Sequence, residues 1–316
     1  MKSQNSCSSG AGAACVMGGL WHSRGVFPPG FVTLRRCVRI FGCSRASLPI
    51  KNRGMSIPVM MTVAGSDCSA GAGLQADMKA AHAMGAFALT AVTCVVSEAP
   101  GLVRGIQEVD PELVADQVRI NLEHFPVSAV KTGMLYSPAI VRAVHEVLAG
   151  TGIPVVVDPV MIATAGDRLM REEAVAVYEE LLLPGAALLT PNLDEAAVLL
   201  RSSVNPERDE LPEAAARLAI RYGCPVLLKG GHLEGDCRDV LAGPDGRMLG
   251  EWNRPRVRDV STHGTGCSLS AAIAARLAAG DGLAAAVERG LEFIAAAIRD
   301  HLRWEHPVRV DALKLW

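Results

Sequence analysis

The 316 residues carry 31 Lys+Arg against 33 Asp+Glu; 50% are hydrophobic and only 4% aromatic. Near-neutral charge excludes the strong field of a nucleic-acid or anionic-membrane binder, and scarce aromatics exclude stacking platforms for single strands. Alanine, glycine and valine favour helices packed closely on a sheet, in one large α/β domain or two ordinary ones.

The stretch Met1–Arg53 has eight basic residues and no acid, the first acid being Asp67. It reads as an organellar transit peptide, as a poor secretory signal around Ala11–Leu20, or as sequence upstream of the true start. The last is preferred, because Met55 immediately precedes the first strand-like run, Ile57–Ala64. Residues 1–55 are therefore expected to be a dispensable extension, disordered or preceding the functional start. Nine cysteines, an odd number without a CxxC pair, suggest neither a disulfide framework nor a zinc site; they read as reduced thiols of a cytoplasmic protein. No apolar run approaches the roughly 18 residues of a membrane span.

From Pro58, short Val/Ile/Leu runs alternate with segments of helical period. Strands are predicted over Val59–Ala64, Ala88–Val95, Ala129–Thr132, Pro154–Val157, Ala187–Thr190 and Val226–Lys229. Helices are predicted over Leu74–Met84, Pro111–Phe125, Pro138–Ala149, Arg171–Leu182, Leu193–Leu200, Glu213–Tyr222, Cys267–Ala279 and Gly282–Arg303. Strands this apolar, regularly spaced with helices, argue a parallel sheet covered on both faces, with ligands beyond the strands' carboxyl ends.

Polar clusters fall at those ends. After the first strand comes Gly65–Gly73, rich in glycine but without the Lys-Ser/Thr of a Walker loop. Asp77 follows on the next helix, placed either to face the strand end or as an ordinary first-turn acid. Glu98, just past the second strand, is either an acceptor for an amino-substituted heterocycle or a solvated loop acid. Lys131-Thr132-Gly133-Met134 and Asp158-Pro159-Val160-Met161 each follow a polar group with apolar residues, as where a flat ring is sandwiched. Thr190-Pro191-Asn192 leads into Asn192-x-x-Glu195, a hydrated Mg²⁺ site or a capping box. Lys229-Gly230-Gly231-His232 offers a cation suited to a nucleotide phosphate.

The chain is organised around Val260–Gly280. Gly264-Thr265-Gly266-Cys267 falls at the start of an alanine-rich helix, where unsatisfied N–H groups and the dipole attract anions. Alone, such a pattern is weak. A thiol there is expected to have a lowered pKa.

Together AGSDCSAGAGLQADMKA, KTGML, DPVMIATAGDRLM, LLTPNLDEA, LLKGGH and THGTGCSLSAA resemble the hydroxymethylpyrimidine/phosphomethylpyrimidine kinases of thiamine biosynthesis, of the ribokinase-like superfamily. The resemblance covers Pro58 to about His301. It implies one three-layer α/β/α domain with a mostly parallel sheet, over residues 56–316, usually homodimeric. It implies transfer of the ATP γ-phosphoryl group to a hydroxymethyl oxygen, then to the resulting monophosphate. By matching position, Gly65, Asp77, Val96, Glu98, Met134 and Val160 would line the pyrimidine pocket. Asp158 and Glu195 would hold Mg²⁺, and Thr190, Asn192 and Lys229 would meet ATP. Gly264, Thr265, Gly266 and Cys267 would form the catalytic anion hole, Cys267 standing where relatives commonly place an aspartate base.

Glu98-Ala99-Pro100 departs from the family's frequent glutamine and Asn-Thr, and Trp304–Arg309 replaces its usual Gly-Pro-Val ending. The rival activities are pyridoxal or pyridoxine kinase and a non-catalytic pyrimidine sensor. Cys267 argues against the first and the intact phosphate motifs against the second.

Overall fold

The computed structural model describes residues 57–161, 172–203, 205–231, 235–261, 263–305 and 308–316. The 1–55 extension, IATAGDRLM, His232 and Thr262 lie outside the described residues; the described residues belong to one unit, Gly54–Trp316.

In chain order the strands are β1 (Val59–Asp67), β2 (Phe87–Ala99), β3 (Leu102–Glu108), β4 (Val127–Thr132), β5 (Val155–Val157), β6 (Leu188–Leu189), β7 (Val226–Lys229), β8 (Cys237–Ala242), β9 (Met248–Arg254), β10 (Leu302–Glu305) and β11 (Arg309–Ala312). The helices are α1 (Gly73–Ala83), α2 (Pro111–His124), α3 (Pro138–Leu148), α4 (Glu172–Leu181), α5 (Leu193–Leu200), α6 (Leu211–Tyr222), α7 (Thr265–Ala278) and α8 (Leu283–Arg299). Every helix anticipated from periodicity is present, with ends shifted by a few residues. Local chemistry sets several starts. Asp110 accepts the N–H groups of Glu112 and Leu113 at the head of α2, and Ser137 that of Ile140 at the head of α3, each followed by proline in the first turn.

Among the described residues one sheet has nine strands in the order β3-β2-β1-β4-β5-β6-β7-β8-β9. β2, β1, β4, β5, β6 and β7 run parallel; β3, β8 and β9 extend the edges antiparallel. Adjacent strand residues feed opposite cores, as the pleat requires. Met61, Val157, Leu189 and Leu228 pack with α2 to α6, whereas Met60, Val156, Leu188 and Leu227 pack with α1, α7 and α8. The result is the three-layer α/β/α arrangement.

Five strands were not anticipated. β3 and β9 at the sheet's two edges, and β8 next to β9, carry charged residues among apolar ones, so they lack the continuous hydrophobic runs of the central strands. The helix expected to reach Arg303 stops at Arg299, and the chain returns as the β10–β11 hairpin. Asp311 holds that hairpin to the loop before α7. It accepts from Arg303 Nε at 2.7 Å, the Ser261 N–H at 3.0 Å and Arg309 Nη2 at 3.3 Å. Beyond the hairpin, Leu313 and Leu315 are buried against Ala76 of α1 and Ala297 of α8.

Leu313→Ala should lower unfolding free energy by about 2–4 kcal/mol, the usual cost of removing a buried leucine side chain. A chemical denaturation midpoint unchanged from wild type would contradict this packing.

Candidate active site

The site is built where the parallel strands run out. At the end of β1, Asp67 is buried and gathers the glycine loop around its carboxylate. Oδ1 accepts the Ser69 N–H at 2.6 Å; Oδ2 accepts the Ala72 N–H at 2.7 Å, the Gly71 N–H at 3.0 Å and Ser69 Oγ at 3.0 Å. Burial opposes its ionisation, but hydrogen bonds from His263, Ser69 and Ala72 prevail and bring it down to about 2.

His263 stands immediately before the α7 turn, its Nε2 3.3 Å from Asp67 Oδ2. One residue later Gly264 adopts φ 77°, and a Cβ there would collide with the Gly71 carbonyl. Only glycine allows that left-handed conformation and that approach at low cost. Ligand atoms of Asp67, Glu98 and His263 lie within 4.8 Å of one another. The loop donors already engage both Asp67 oxygens, so this group is a loop anchor rather than a metal cage.

The next three residues form the first turn of α7, whose amides lack intrahelical acceptors. Cys267 Sγ accepts the Gly73 N–H, and burial pushes the thiol up to about 12, with Asp77 and Asp158 adding to the rise and Lys131 opposing it. This corrects the lowered pKa expected from the helix dipole: desolvation and two nearby carboxylates outweigh it. The resting group is a thiol.

Lys229, at the end of β7, places Nζ 3.2 Å from Asp158 Oδ1. Thr190 Oγ1 donates to the same oxygen at 3.1 Å, and Ser270 Oγ to Asp158 Oδ2 at 3.2 Å. The α7 turn rests on this cluster, since a Cβ on Gly266 would stand 3.1 Å from Lys229 Nζ. Asn192 and Glu195 form the capping box of α5, with Oδ1 accepting the Glu195 N–H at 2.9 Å and Oε2 accepting the Asn192 N–H at 2.8 Å. Burial pushes the Glu195 carboxyl up to about 7; Lys229 opposes the shift and Asp158 adds to it.

These groups surround a cavity of about 950 Å³. Gly65, Val96, Glu98, Met134 and Val160 line one end, and Asp158, Asn192, Glu195, Lys229 and Gly264–Cys267 the middle. Most of the residues that the resemblance assigned to the site thus line this cavity. Two correct that assignment. Asp77 and Thr190 are fully buried behind the lining, Asp77 paired with Lys131 and Thr190 donating to Asp158, so each acts through its partner. Glu98 lies inside β2 rather than past it, and burial, with Asp67 adding and His263 opposing, raises its carboxyl. Part of the lining was not anticipated: Arg254, Pro255, Arg256 and Val257, with Leu291, Ile294 and Ile298 of α8, also border the cavity. Two arginines flanking a proline were the available signal. A second hollow of about 400 Å³, between α2 and α3, lies away from the strand ends.

The phosphomethylpyrimidine kinase family model matches residues 67–309. The chain belongs to the phosphomethylpyrimidine kinase family. A hydroxymethylpyrimidine/phosphomethylpyrimidine kinase of Streptomyces coelicolor is 42% identical over 243 residues, which cover 76% of this chain and 88% of the relative. The phosphomethylpyrimidine kinase of Clostridium difficile superposes with TM-score 0.66 at 31% identity, covering 77% of this chain and all of that one. Bacillus subtilis pyridoxal kinase, solved as an ADP complex, superposes with TM-score 0.73 at 30% identity over 82% of this chain and 98% of its own. The ribokinase-like fold is therefore common to both activities, and the side chains of the site decide between them.

Among the described residues no helix is long and apolar enough to cross a membrane.

Two outcomes test this geometry. Gly264→Ala, forced into a left-handed conformation against Gly71, should lose nearly all turnover and about 1–3 kcal/mol of stability; wild-type kinetics would refute the close approach. With the Cys267 thiol raised to about 12, its alkylation by iodoacetamide should be slow at neutral pH. The rate should climb about tenfold per pH unit through the alkaline range, because only the thiolate reacts. Mass spectrometry of the Cys267 peptide reads this directly, and a plateau near neutrality would contradict the burial argument.

Proposed function

We propose that this chain transfers the γ-phosphoryl group of ATP to the hydroxymethyl oxygen of 4-amino-5-hydroxymethyl-2-methylpyrimidine, and then phosphorylates the monophosphate to the diphosphate, in thiamine biosynthesis. The observation that carries this reading is one cavity joining Glu98, Lys229 and the Gly264–Cys267 turn. The ring would lie between Val96, Met134 and Val160 with its amine donating to Glu98. The nucleotide would extend past Lys229 toward Arg254–Val257, where α8 supplies an apolar wall for a base.

In the transfer the hydroxymethyl oxygen attacks the γ-phosphorus as the bond to the β-phosphate bridging oxygen breaks, and ADP leaves. Amides of the first α7 turn and Lys229 receive the charge on the transferring group. Cys267, whose thiol is raised to about 12, first gives its own proton to solvent, and the scarce thiolate so formed takes the hydroxyl proton as the O–P bond forms.

Asp158 and Glu195 suit a hydrated Mg²⁺. Both line the cavity beside Lys229, and Asp158 adds to the rise that burial imposes on the Glu195 carboxyl, a rise that a bound cation would oppose. When bound, the ion would neutralise phosphate charge. Thr190 and Ser270 orient Asp158, and Asn192 fixes Glu195.

Glu98 and the pyrimidine-kinase relatives favour this substrate over pyridoxal. The homodimer has support in the stacked Phe87 and Phe125 and in Leu113 and Ile120, all largely exposed on β2, α2 and the residue after α2. Sedimentation of the full chain as a monomer would refute it.

Mass spectrometry after incubation with ATP, Mg²⁺ and either the pyrimidine or pyridoxal should find the pyrimidine mono- and diphosphates; product from pyridoxal alone would overturn the assignment. Glu98→Ala should weaken pyrimidine binding by about 1.5–3 kcal/mol, and Glu98→Gln by less, because the amide keeps one acceptor. Cys267→Ala should lower kcat by about 10²-fold, the low end for general-base help, with KM for ATP little changed. Undiminished kcat would leave Cys267 a packing residue.

A further inference from the structure

Beneath the cavity lies a second lysine–aspartate pair that the transfer scheme does not use. Lys131 at the end of β4 and Asp77 on α1 both have 0% side-chain exposure, with Nζ 2.7 Å from Asp77 Oδ2. Thr62 on β1 donates to the same oxygen at 2.5 Å, while Asp77 Oδ1 has no hydrogen-bond partner among the described residues. Gly133 makes room for the lysine, since a Cβ there would stand 2.7 Å from Nζ.

A buried ion pair is a weak source of stability, because apolar side chains of similar volume serve as well or better. Here three elements converge to build one against the first turn of α7. Lys131 reaches the cavity wall and Asp77 stands behind it. Of the two, the ammonium favours the Cys267 thiolate and the Asp77 carboxylate opposes it. The turn therefore sits between two aspartate-held lysines, Lys229 against Gly266 and Lys131 on the side of Cys267.

We propose that Lys131 is a positioning residue for phosphoryl transfer: locked by Asp77, its ammonium holds positive potential under Cys267 and seats the Gly264–Cys267 turn for the charge gathered during transfer. The inference rests on the function proposed above.

Lys131→Met alone would strand a buried carboxylate. The deciding variant is Lys131→Met/Asp77→Asn, in which Thr62 keeps an acceptor and neither charge of the pair remains. Assayed beside wild type with ATP and the hydroxymethylpyrimidine, it should keep its melting temperature and KM for ATP while kcat falls about ten- to a hundredfold. Alkylation of its Cys267 by iodoacetamide near pH 9 should slow about tenfold, the thiolate having lost a cation that favours it. Wild-type kcat, a loss of kcat matched by a loss of folded protein in circular dichroism, or an unchanged alkylation rate each overturns the proposal. Inactivity of the wild type on the pyrimidine would refute the functional reading instead, and the alkylation comparison, which needs no substrate, still decides the role of Lys131.

Discussion

The constraint on which the site depends is the contact of two glycine turns. Gly264 passes so close to the Gly71 carbonyl that no side chain fits between them. That contact sets the first turn of α7 against the loop opening α1, and the Asp67–His263 bond ties the two together from the side. Gly73 then donates to Cys267 across the same seam. Remove the contact and the amides and thiol of the α7 turn lose their common reference with the strand-end carboxylates.

Around this seam, charge is handled in pairs. Lys229 with Asp158, Lys131 with Asp77, and Arg254 with Asp239 each place a cation beside a buried carboxylate. The pairing lets a sheet edge in an apolar core carry groups that burial alone would neutralise. Glu195 shares the Lys229 ammonium with Asp158, and burial raises its carboxyl in spite of it. Under the proposed function, such a cavity would suit a ligand that brings negative phosphates together with a compensating metal.

Much of this was legible in the residues because parallel strands announce themselves. Val226–Lys229 and Leu188–Leu189 are apolar on both faces, and the polar residue that ends such a run falls at the ligand edge. The capping box of Asn192 and Glu195 was also legible, though sequence alone could not separate it from a metal pair; the structure contains the box and still presents Glu195 to the cavity. Depth was not legible. Asp77 and Thr190 have the right neighbours in sequence but lie behind the wall, and Cys267 sits at a helix start whose field is overridden by desolvation. Edge strands and the β10–β11 hairpin escaped because half-exposed β structure carries little hydrophobic pattern.

Asp67 and His263 are 196 positions apart along the chain, yet their bond joins the loop after β1 to the turn before α7. Closing so long a loop carries an entropic cost, and long-range pairing of this kind slows folding. Under the proposed function, the half of the site assigned to the pyrimidine, on β1, β2 and β4, would form from early segments, and the half assigned to phosphoryl transfer would arrive with α7. A partly folded chain would then recognise the ring before it could act on it, and a ligand spanning both halves would act as a template that favours the last docking step.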